Sequence, residues 1–286
     1  MIILNLYRHK IYICLSKFLN INYMKKILFI LASLSLSYVS FAQKKNEKAK
    51  YMYKEVTVET DDYKVYIVDA VSNFKQAKFK IKVFNKTNDF LYVKPEEFKY
   101  LADGKTLLGT DKPFAIAPND EVSAVLDFKG GDMLMETYSI ELKGIYKASA
   151  GSKAYEVPNF NLPASKNDFT INNITCVLLK SDLKTDKSTV RFDCNYTGDG
   201  VGIINVTKVS AIMPNGQQNA NQKKYKPAVI ERGKHEDFFL TFFQLPDAGD
   251  MQKKPWSIQW NDTFRESKLV PIGSAKVEMV KEFVKE

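Results

Sequence analysis

The chain has 286 residues, with 42 Lys and Arg against 33 Asp and Glu, which gives a formal charge of +9. Residues 1–42 hold five of the basic residues and no acid, so residues 43–286 carry 37 against 33, or +4. Only four residues are Arg, the side chain that binds phosphates and base edges bidentately, so this composition excludes the usual nucleic-acid-binding surface. No apolar run after residue 42 approaches the roughly 18–20 residues that cross a bilayer, so no transmembrane segment is predicted there.

Residues 24–42 are organised like a secretory signal peptide. A lysine-containing start is followed by an apolar run at 27–39 and by small residues before a cut between Ala42 and Gln43. The pattern predicts an exported protein, either periplasmic or secreted. It also makes Met24 the expected start of synthesis.

Related segments occur twice in the chain. Residues 131–140 match residues 249–258 at five of ten positions, and each segment begins with a Gly-Asp-Met turn. Upstream, the offset between matching residues shrinks in steps from 118 to 111, as loop insertions would produce. We therefore predict a duplicated unit of about 100 residues. In each turn, Gly is assigned to the bend, Asp to local backbone bonds and Met to the core.

Alternating apolar residues predict β-strands in both units. Phe79, Ile81 and Val83 alternate with lysines, which places the apolar set on one face of a strand. Short β-branched and aromatic runs of this kind are separated by turn residues at intervals of roughly 8–15 residues. This spacing, without a long helical stretch, predicts two-layer β-sandwiches.

One amphipathic helix is expected, at residues 273–286. Val277, Val280, Phe283 and Val284 recur there at helical spacing among Lys and Glu. We expect this helix to pack on a sandwich or on a partner.

Two tandem units behind a signal peptide resemble the secreted immunoglobulin-like β-sandwich domains of bacterial envelope proteins. Each unit has alternating early strands and a Pro- or Gly-bearing turn before a strand that ends in Phe128 or Phe242. The resemblance is architectural and lacks the Cys…Trp…Cys framework. It implies an all-β protein of two tandem immunoglobulin-like sandwich domains with a short C-terminal α-helix, acting as a binding or scaffolding module. The expected segments are an upstream extension at 1–23, a signal peptide at 24–42, a charged leader at 43–54, a first sandwich domain at 55–148, a linker at 149–167, a second sandwich domain at 168–272 and the helix at 273–286.

The sequence predicts no catalytic, metal-binding or cofactor-binding residue. His235 is the one histidine of residues 43–286, and a zinc site or a Ser-His-Asp triad needs partners that the surrounding sequence does not supply. Acid pairs such as Glu96-Glu97 and Glu236-Asp237 would point to opposite faces of a strand, and they are interpreted as solvated surface residues. We therefore expect a protein that is not an enzyme.

Cys176 and Cys194 remain in the exported chain and are candidates for a disulfide. The hairpin register in which Lys180 faces Val190 also sets the two cysteines opposite each other, within bonding range. An oxidising compartment permits the bond. The alternative is a pair of small buried side chains, because the first unit has apolar residues in these places.

Trp256 and Trp260 share one strand face and admit two interpretations. Their counterparts in the first unit are ordinary core residues, which favours burial, whereas exposure would form a carbohydrate-binding strip. The contact surface is predicted on the loop at 215–227, since it is longer than its counterpart and loops on rigid sandwiches often carry binding. The candidate contact residues are Asn215, Gln218, Lys223 and Tyr225.

These features favour an exported, non-enzymatic binding or scaffolding module of the bacterial envelope. Its partner is expected to be an envelope or extracellular protein or glycan, and not a nucleic acid. The alternative is a carbohydrate-binding or glycan-acting protein that uses surface aromatics and acids, with a cleft lined by acids from several strands. A third hypothesis is a structural spacer without a concave or apolar surface patch.

Overall fold

The computed structural model of the protein describes residues 49–282, and their secondary structure is almost wholly antiparallel β. Two short 3-10 turns, Pro95–Glu97 and Val206–Lys208, are the helical elements in this part of the chain. No helix within these residues is long and apolar enough to span a bilayer. The predicted all-β class is confirmed.

We call the strands up to residue 148 the first half. They are β1 (Tyr51–Met52), β2 (Val56–Glu59), β3 (Tyr63–Ser72), β4 (Gln76–Asn85), β5 (Phe90–Val93), β6 (Lys99–Ala102), β7 (Lys105–Leu108), β8 (Phe114–Ile116), β9 (Glu121–Lys129), β10 (Thr137–Leu142) and β11 (Ile145–Ala148).

The remaining strands are β12 (Phe160–Leu162), β13 (Asp168–Ile171), β14 (Ile174–Asp182), β15 (Lys187–Tyr196), β16 (Val201–Ile204), β17 (Ser210–Ile212), β18 (Gln218–Ala220), β19 (Ala228–Glu231), β20 (His235–Phe243), β21 (Trp256–Gln259), β22 (Phe264–Ser267), β23 (Leu269–Pro271) and β24 (Ala275–Val280). The strands from residue 168 to residue 267 form the second half, β12 lies between the halves, and β23 and β24 follow the second half.

Three sheets in each half are arranged in a sandwich-like manner. In the first half β4 lies between β3 and β9, β6 between β7 and β10, and β5 between β8 and β11. In the second half β15 lies between β14 and β20, β17 between β18 and β21, and β16 between β19 and β22. The sheets of both halves therefore use their strands in the same chain order.

The edge strands connect the two halves. β12 leaves the first half and pairs with β21, where Leu162 faces Trp256. β23 and β24 leave the second half and return to β11 and β10, where Met279 faces Tyr138. A segment that leaves each half thus completes a sheet of the other.

Alternation along the strands produces two separate cores. The first contains Tyr63, Phe79 and Tyr100, and Met279 of β24 is buried within it. The second is built around Trp260. Full burial of such side chains contributes roughly 1.5–3 kcal/mol each, and that contribution fixes which face of each strand points inward.

The predicted C-terminal helix is wrong where the structure can be compared. Residues 275–280 form strand β24, in which Val277 and Met279 are buried and Lys276, Glu278 and Val280 are exposed. Pairing with β10 outweighs the helical spacing. In a strand, Val277 and Met279 point to the same side, and both are buried in the first core. Phe283 and Val284 lie outside the described residues.

Two segments predicted to be irregular contain strands. Tyr51–Met52 of the expected leader forms β1 on the edge of β3, and Phe160–Leu162 of the expected linker forms β12. Neither segment alternates for long enough to be recognised as a strand from the sequence. The upstream extension and the signal peptide, with its cleavage site at Ala42 and Gln43, lie outside the described residues.

Candidate functional site

A cleft of about 350 Å³ lies between the two halves. Tyr92 on β5 and Phe114 on β8 belong to its wall from the first half. The other wall includes residues 224–227, Val229 on β19 and Glu236 near the start of β20. The cleft is therefore built from both halves and is mixed in character, with aromatic, basic and acidic side chains.

A small apolar cluster holds the two walls together beneath the cleft. It is continuous across the boundary, and its buried members are Phe90, Ala148, Val201 and Ile203. Val229, which lines the cleft, is partly buried against this cluster. The cleft thus rests on packed side chains from both halves.

A cluster of charged and phenolic groups joins the halves beside the cleft. The ammonium group of Lys94 contacts the carboxylate of Glu231 from the second half, and it lies 3.8 Å from the Oε1 atom of Glu97. It also lies 5.4 Å from the ring centre of Tyr146, whose hydroxyl donates to Oε2 of Glu97 at 2.5 Å. This hydrogen bond, with some burial, raises the pKa of Tyr146 to about 12.

Local backbone geometry positions this cluster. Lys94 precedes the 3-10 turn Pro95–Glu97, and its backbone N–H donates to the carbonyl of Gly144 at 2.8 Å. Gly144 has φ of +74°, and a Cβ there would lie 2.7 Å from the Cβ of Glu97. Glycine is required at this position because any side chain would displace the Glu97 carboxylate.

The pKa values of two ionisable groups in the cleft are raised by their surroundings. Burial raises the pKa of Tyr92, and the charge of Glu231 adds to the effect. Partial burial raises the pKa of the Glu236 carboxyl, Asp237 adds to this, and Lys112 opposes it. Both groups are therefore held more strongly in their neutral forms than they would be in water.

Part of the predicted contact loop reaches the cleft. Tyr225 lines it, and the Tyr225 hydroxyl accepts from the backbone N–H of Phe239 at 2.9 Å. The Lys223 ammonium lies 5.2 Å from the ring centre of Tyr225 and 4.9 Å from that of Phe239. These contacts fix the end of the loop at 215–227 against β20.

The other two candidate residues of the loop make different contacts. The side-chain amide of Asn215 donates to the carbonyl of Asp247 at 3.0 Å. Gln218 lies on β18 and donates to the side chain of Gln259 at 3.0 Å. Neither lines the cleft, so the structure places Tyr225 there and assigns Asn215 and Gln218 to local bonds.

Both tryptophans are buried. Trp256 and Trp260 are each 4% exposed. Trp256 donates its indole N–H to the carbonyl of Met251, and Trp260 packs against Phe192 and Phe264. A carbohydrate-binding strip on this strand is therefore wrong.

A disulfide joins Cys176 and Cys194, whose Cα atoms are 4.0 Å apart. The two residues face each other on β14 and β15, as the hairpin register requires. Lys180, however, faces Arg191 instead of Val190, because a bulge between Leu178 and Lys180 shifts the register by one residue.

The remaining candidate groups have local roles. His235 opens β20 with its Nδ1 atom 3.0 Å from Oδ2 of Asp193. Met133 and Met251 of the two Gly-Asp-Met turns are fully buried, and Asp250 accepts from the backbone of Gln252. Among residues 49–282, no three His, Cys, Asp or Glu side chains are grouped so as to hold a metal ion.

Sequence reasoning missed most of the residues at the cleft. Glu97 and Glu236 each belong to an acid pair that was interpreted as solvated surface, and this pairing was the only available signal. Lys94 and Tyr146 have no local pattern that marks them. They meet because β5 and β11 pair in register, with Tyr92 facing Tyr146.

Comparison with known proteins finds similarity to solved structures. No family model matches the chain, and no curated protein matches it. The chain is similar to a functionally unknown protein from Listeria monocytogenes EGD-e, with 10% identity over 34% of this chain and 74% of that one and a TM-score of 0.28. It is also similar to red sea bream transglutaminase, with 8% identity over 71% of this chain and 28% of that one and a TM-score of 0.18.

Proposed function

We propose that the protein is an exported, non-enzymatic binding module of the bacterial envelope, whose contact surface is the cleft between its halves. We further infer two immunoglobulin-like domains related by duplication, with the predicted bounds 55–148 and 168–272, except that β23 pairs with the first. The inferred duplication is supported by the common chain order of the sheets and by the recurring Gly-Asp-Met turns. Export is supported by the organisation of residues 24–42.

One observation carries the functional proposal. The cleft combines residues of both halves, and Tyr225 of the predicted contact loop lies in it. Lys224 and Lys226 are exposed beside Tyr225, and Glu236 supplies a carboxylate. A protein partner that presents an apolar side chain between groups of both charges is complementary to such a surface.

The glycan-acting alternative has less support. Glycoside hydrolysis uses two carboxyl groups that flank the scissile bond. Among the described residues that line the cleft, Glu236 alone carries a carboxyl group. Sugar binding through Trp256 and Trp260 is excluded by their burial.

The proposal is tested by capturing partners from the envelope fraction with the full tagged chain. The double variant Lys224→Glu, Lys226→Glu changes only exposed side chains of the cleft and should lose the partner. A control, Lys153→Glu, Lys184→Glu, makes the same charge change at side chains that are 87% and 62% exposed, and it should retain the partner. Retention by the cleft variant, or equal loss from both variants, would contradict a binding role for the cleft.

A further inference from the structure

Three lysines form a row on the outer face of the first half. Lys78, Lys80 and Lys82 alternate on β4 with Phe79 and Ile81, which are fully buried, so the lysines point away from the core. Alternate residues of a strand are about 6.5–7 Å apart, and the row therefore presents evenly spaced charges along a line.

These lysines form no ion pair with the neighbouring acids. Within the part of the chain that the structure describes, no carboxylate oxygen lies within 4 Å of the ammonium nitrogen of Lys78, Lys80 or Lys82. Across the strands, Lys80 faces Val68 and Val125.

The acids on the same face make other contacts. Asp127, which faces Lys78, accepts from Thr110 at 3.0 Å and lies 3.8 Å from the ammonium of Lys129. Glu59 lies 3.5 Å from Lys64 and 2.9 Å from Lys86. Glu121 faces Phe84 at the end of the sheet. Asp69 is a further acid of this face, exposed in the bulge of β3 between Val68, which faces Lys80, and Val71, which faces Lys78. The row therefore carries three cations without an ion pair, with Asp69 and Asp127 beside it.

Apolar surface lies between the charges. Val125 is 53% exposed beside Lys80. Tyr66 faces Lys82, and its ring lies 5.0 Å from the ammonium of Lys64. The face thus alternates cations with apolar and aromatic patches.

The corresponding strand of the second half lacks this property. At the centre of its sheet, β15 presents Thr189, Arg191 and Asp193. Arg191 donates from Nε to Asp237 at 2.7 Å and stacks on Phe239, and Asp193 lies beside His235. A row of lysines without ion pairs is therefore not a general property of these sheets.

We propose that the outer face of β3, β4 and β9 binds a linear acidic polysaccharide whose carboxylates contact Lys78, Lys80 and Lys82. A polymer with charges at regular intervals matches the row, and the apolar faces of its sugar rings match Val125 and Tyr66. Lysine provides point charges that suit single carboxylates, and the face has no Arg for bidentate binding of phosphate. This surface differs from the cleft, so the proposal stands independently of the proposed function.

The test uses the protein expressed from its full sequence and polygalacturonate as the probe. The triple variant Lys78→Gln, Lys80→Gln, Lys82→Gln should bind at least tenfold more weakly and show a shallower salt dependence, because fewer counterions are released. The control, Lys234→Gln, Lys254→Gln, Lys268→Gln, makes the same charge change at exposed lysines and should bind within twofold of the parent. Both variants should keep the unfolding midpoint of the parent.

Three outcomes would overturn the proposal. The first is no binding of the parent to polygalacturonate at low salt. The second is an equal loss in both triple variants, which would indicate an effect of net charge alone. The third is tighter binding to anionic phospholipid vesicles or to double-stranded DNA, which would assign the face to a different partner. Neutral dextran should not bind in any case.

Discussion

The β3–β4 pair of the first half and the β14–β15 pair of the second differ in how two facing buried residues are joined. Val65 faces Val83 in the first pair, and both side chains are fully buried. Cys176 faces Cys194 in the second pair, equally buried, and the two are covalently joined. On the outer side of these strands the halves differ in charge as well. Inward positions therefore stay apolar and buried in both halves, while outward positions differ in charge.

The largest expected effect concerns the strands that complete each half. Met279→Ala should lower the free energy of unfolding by about 2–5 kcal/mol and weaken hydrogen-exchange protection in β6 and β10. Leu162→Ala should do the same for β17 and β21. Both residues are fully buried in their respective cores.

Val280→Ala is the matched control for this comparison, since Val280 is 36% exposed on the same strand. It should change stability by no more than about 0.5 kcal/mol. Uniform loss of hydrogen-exchange protection across both halves in Met279→Ala would show that the halves unfold as one unit. It would contradict the expected separate stability of the two halves.

The disulfide gives the next largest effect. The variant Cys176→Val, Cys194→Val makes the second pair resemble the first, and it should be about 2–4 kcal/mol less stable than the oxidised protein. Reductant should lower the denaturant midpoint of the parent and leave that of the variant unchanged. A parent midpoint that does not respond to reductant would mean that the bond adds nothing to stability.

The ion cluster that joins the halves should contribute less to the free energy of unfolding than the disulfide does. Lys94→Met leaves Glu97 and Glu231 without their cation and should cost about 1–2 kcal/mol in urea unfolding, after allowance for the partial exposure of the acids. Lys208→Met removes an exposed pair with Asp262 and should cost under about 1 kcal/mol. Equal losses would show that the position between the halves has no special weight.

Alkaline titration examines the same cluster. The pKa of Tyr146 in the folded state, about 12, exceeds its ordinary value, so its contribution to stability is complete below pH ~10 and is lost as pH rises through 12. Glu97→Gln should shift the tyrosinate absorbance step of Tyr146 to lower pH, whereas Glu96→Gln should move it little. Tyr146→Phe identifies the step by removing it.

The smallest change in stability is expected on the outer faces. Thr189→Lys with Asp193→Lys transfers the lysine row to the second half and should alter stability by no more than about 1 kcal/mol. The variant should gain affinity for polygalacturonate. A control with equal charge at exposed sites, Asp199→Lys with Gln222→Lys, should not gain it, and an equal gain would indicate that position is unimportant.

Local patterns predicted the strands but not the edges or the cleft. Phe79, Ile81 and Val83 follow a period of two, and the structure buries all three. Residues 275–280 carry a helical spacing, yet they pair with β10. The backbone hydrogen bonds to the edge of β10 and the burial of Val277 and Met279 outweigh the local preference for a helix. The strand that offers this edge lies more than a hundred positions earlier in the chain, so no local pattern in residues 275–280 indicates the pairing.

The candidate site shows the same limit. Tyr225 could be identified because loop length is visible in the sequence. Lys94, Glu97 and Tyr146 could not, since their proximity depends on the pairing of β5 with β11 and on Gly144. The bulge after Leu178 was missed as well, because it adds one residue without altering the composition of the strand.

The return of β24 to β10 has a consequence for biosynthesis. β10 ends at Leu142, and the strand that covers its edge starts only at Ala275. A chain that emerges from its N-terminal side therefore presents β10 with a bare edge until the entire second half has followed. The first half to be synthesised is the last to be finished, and during that interval its edge is open to pairing with other nascent chains.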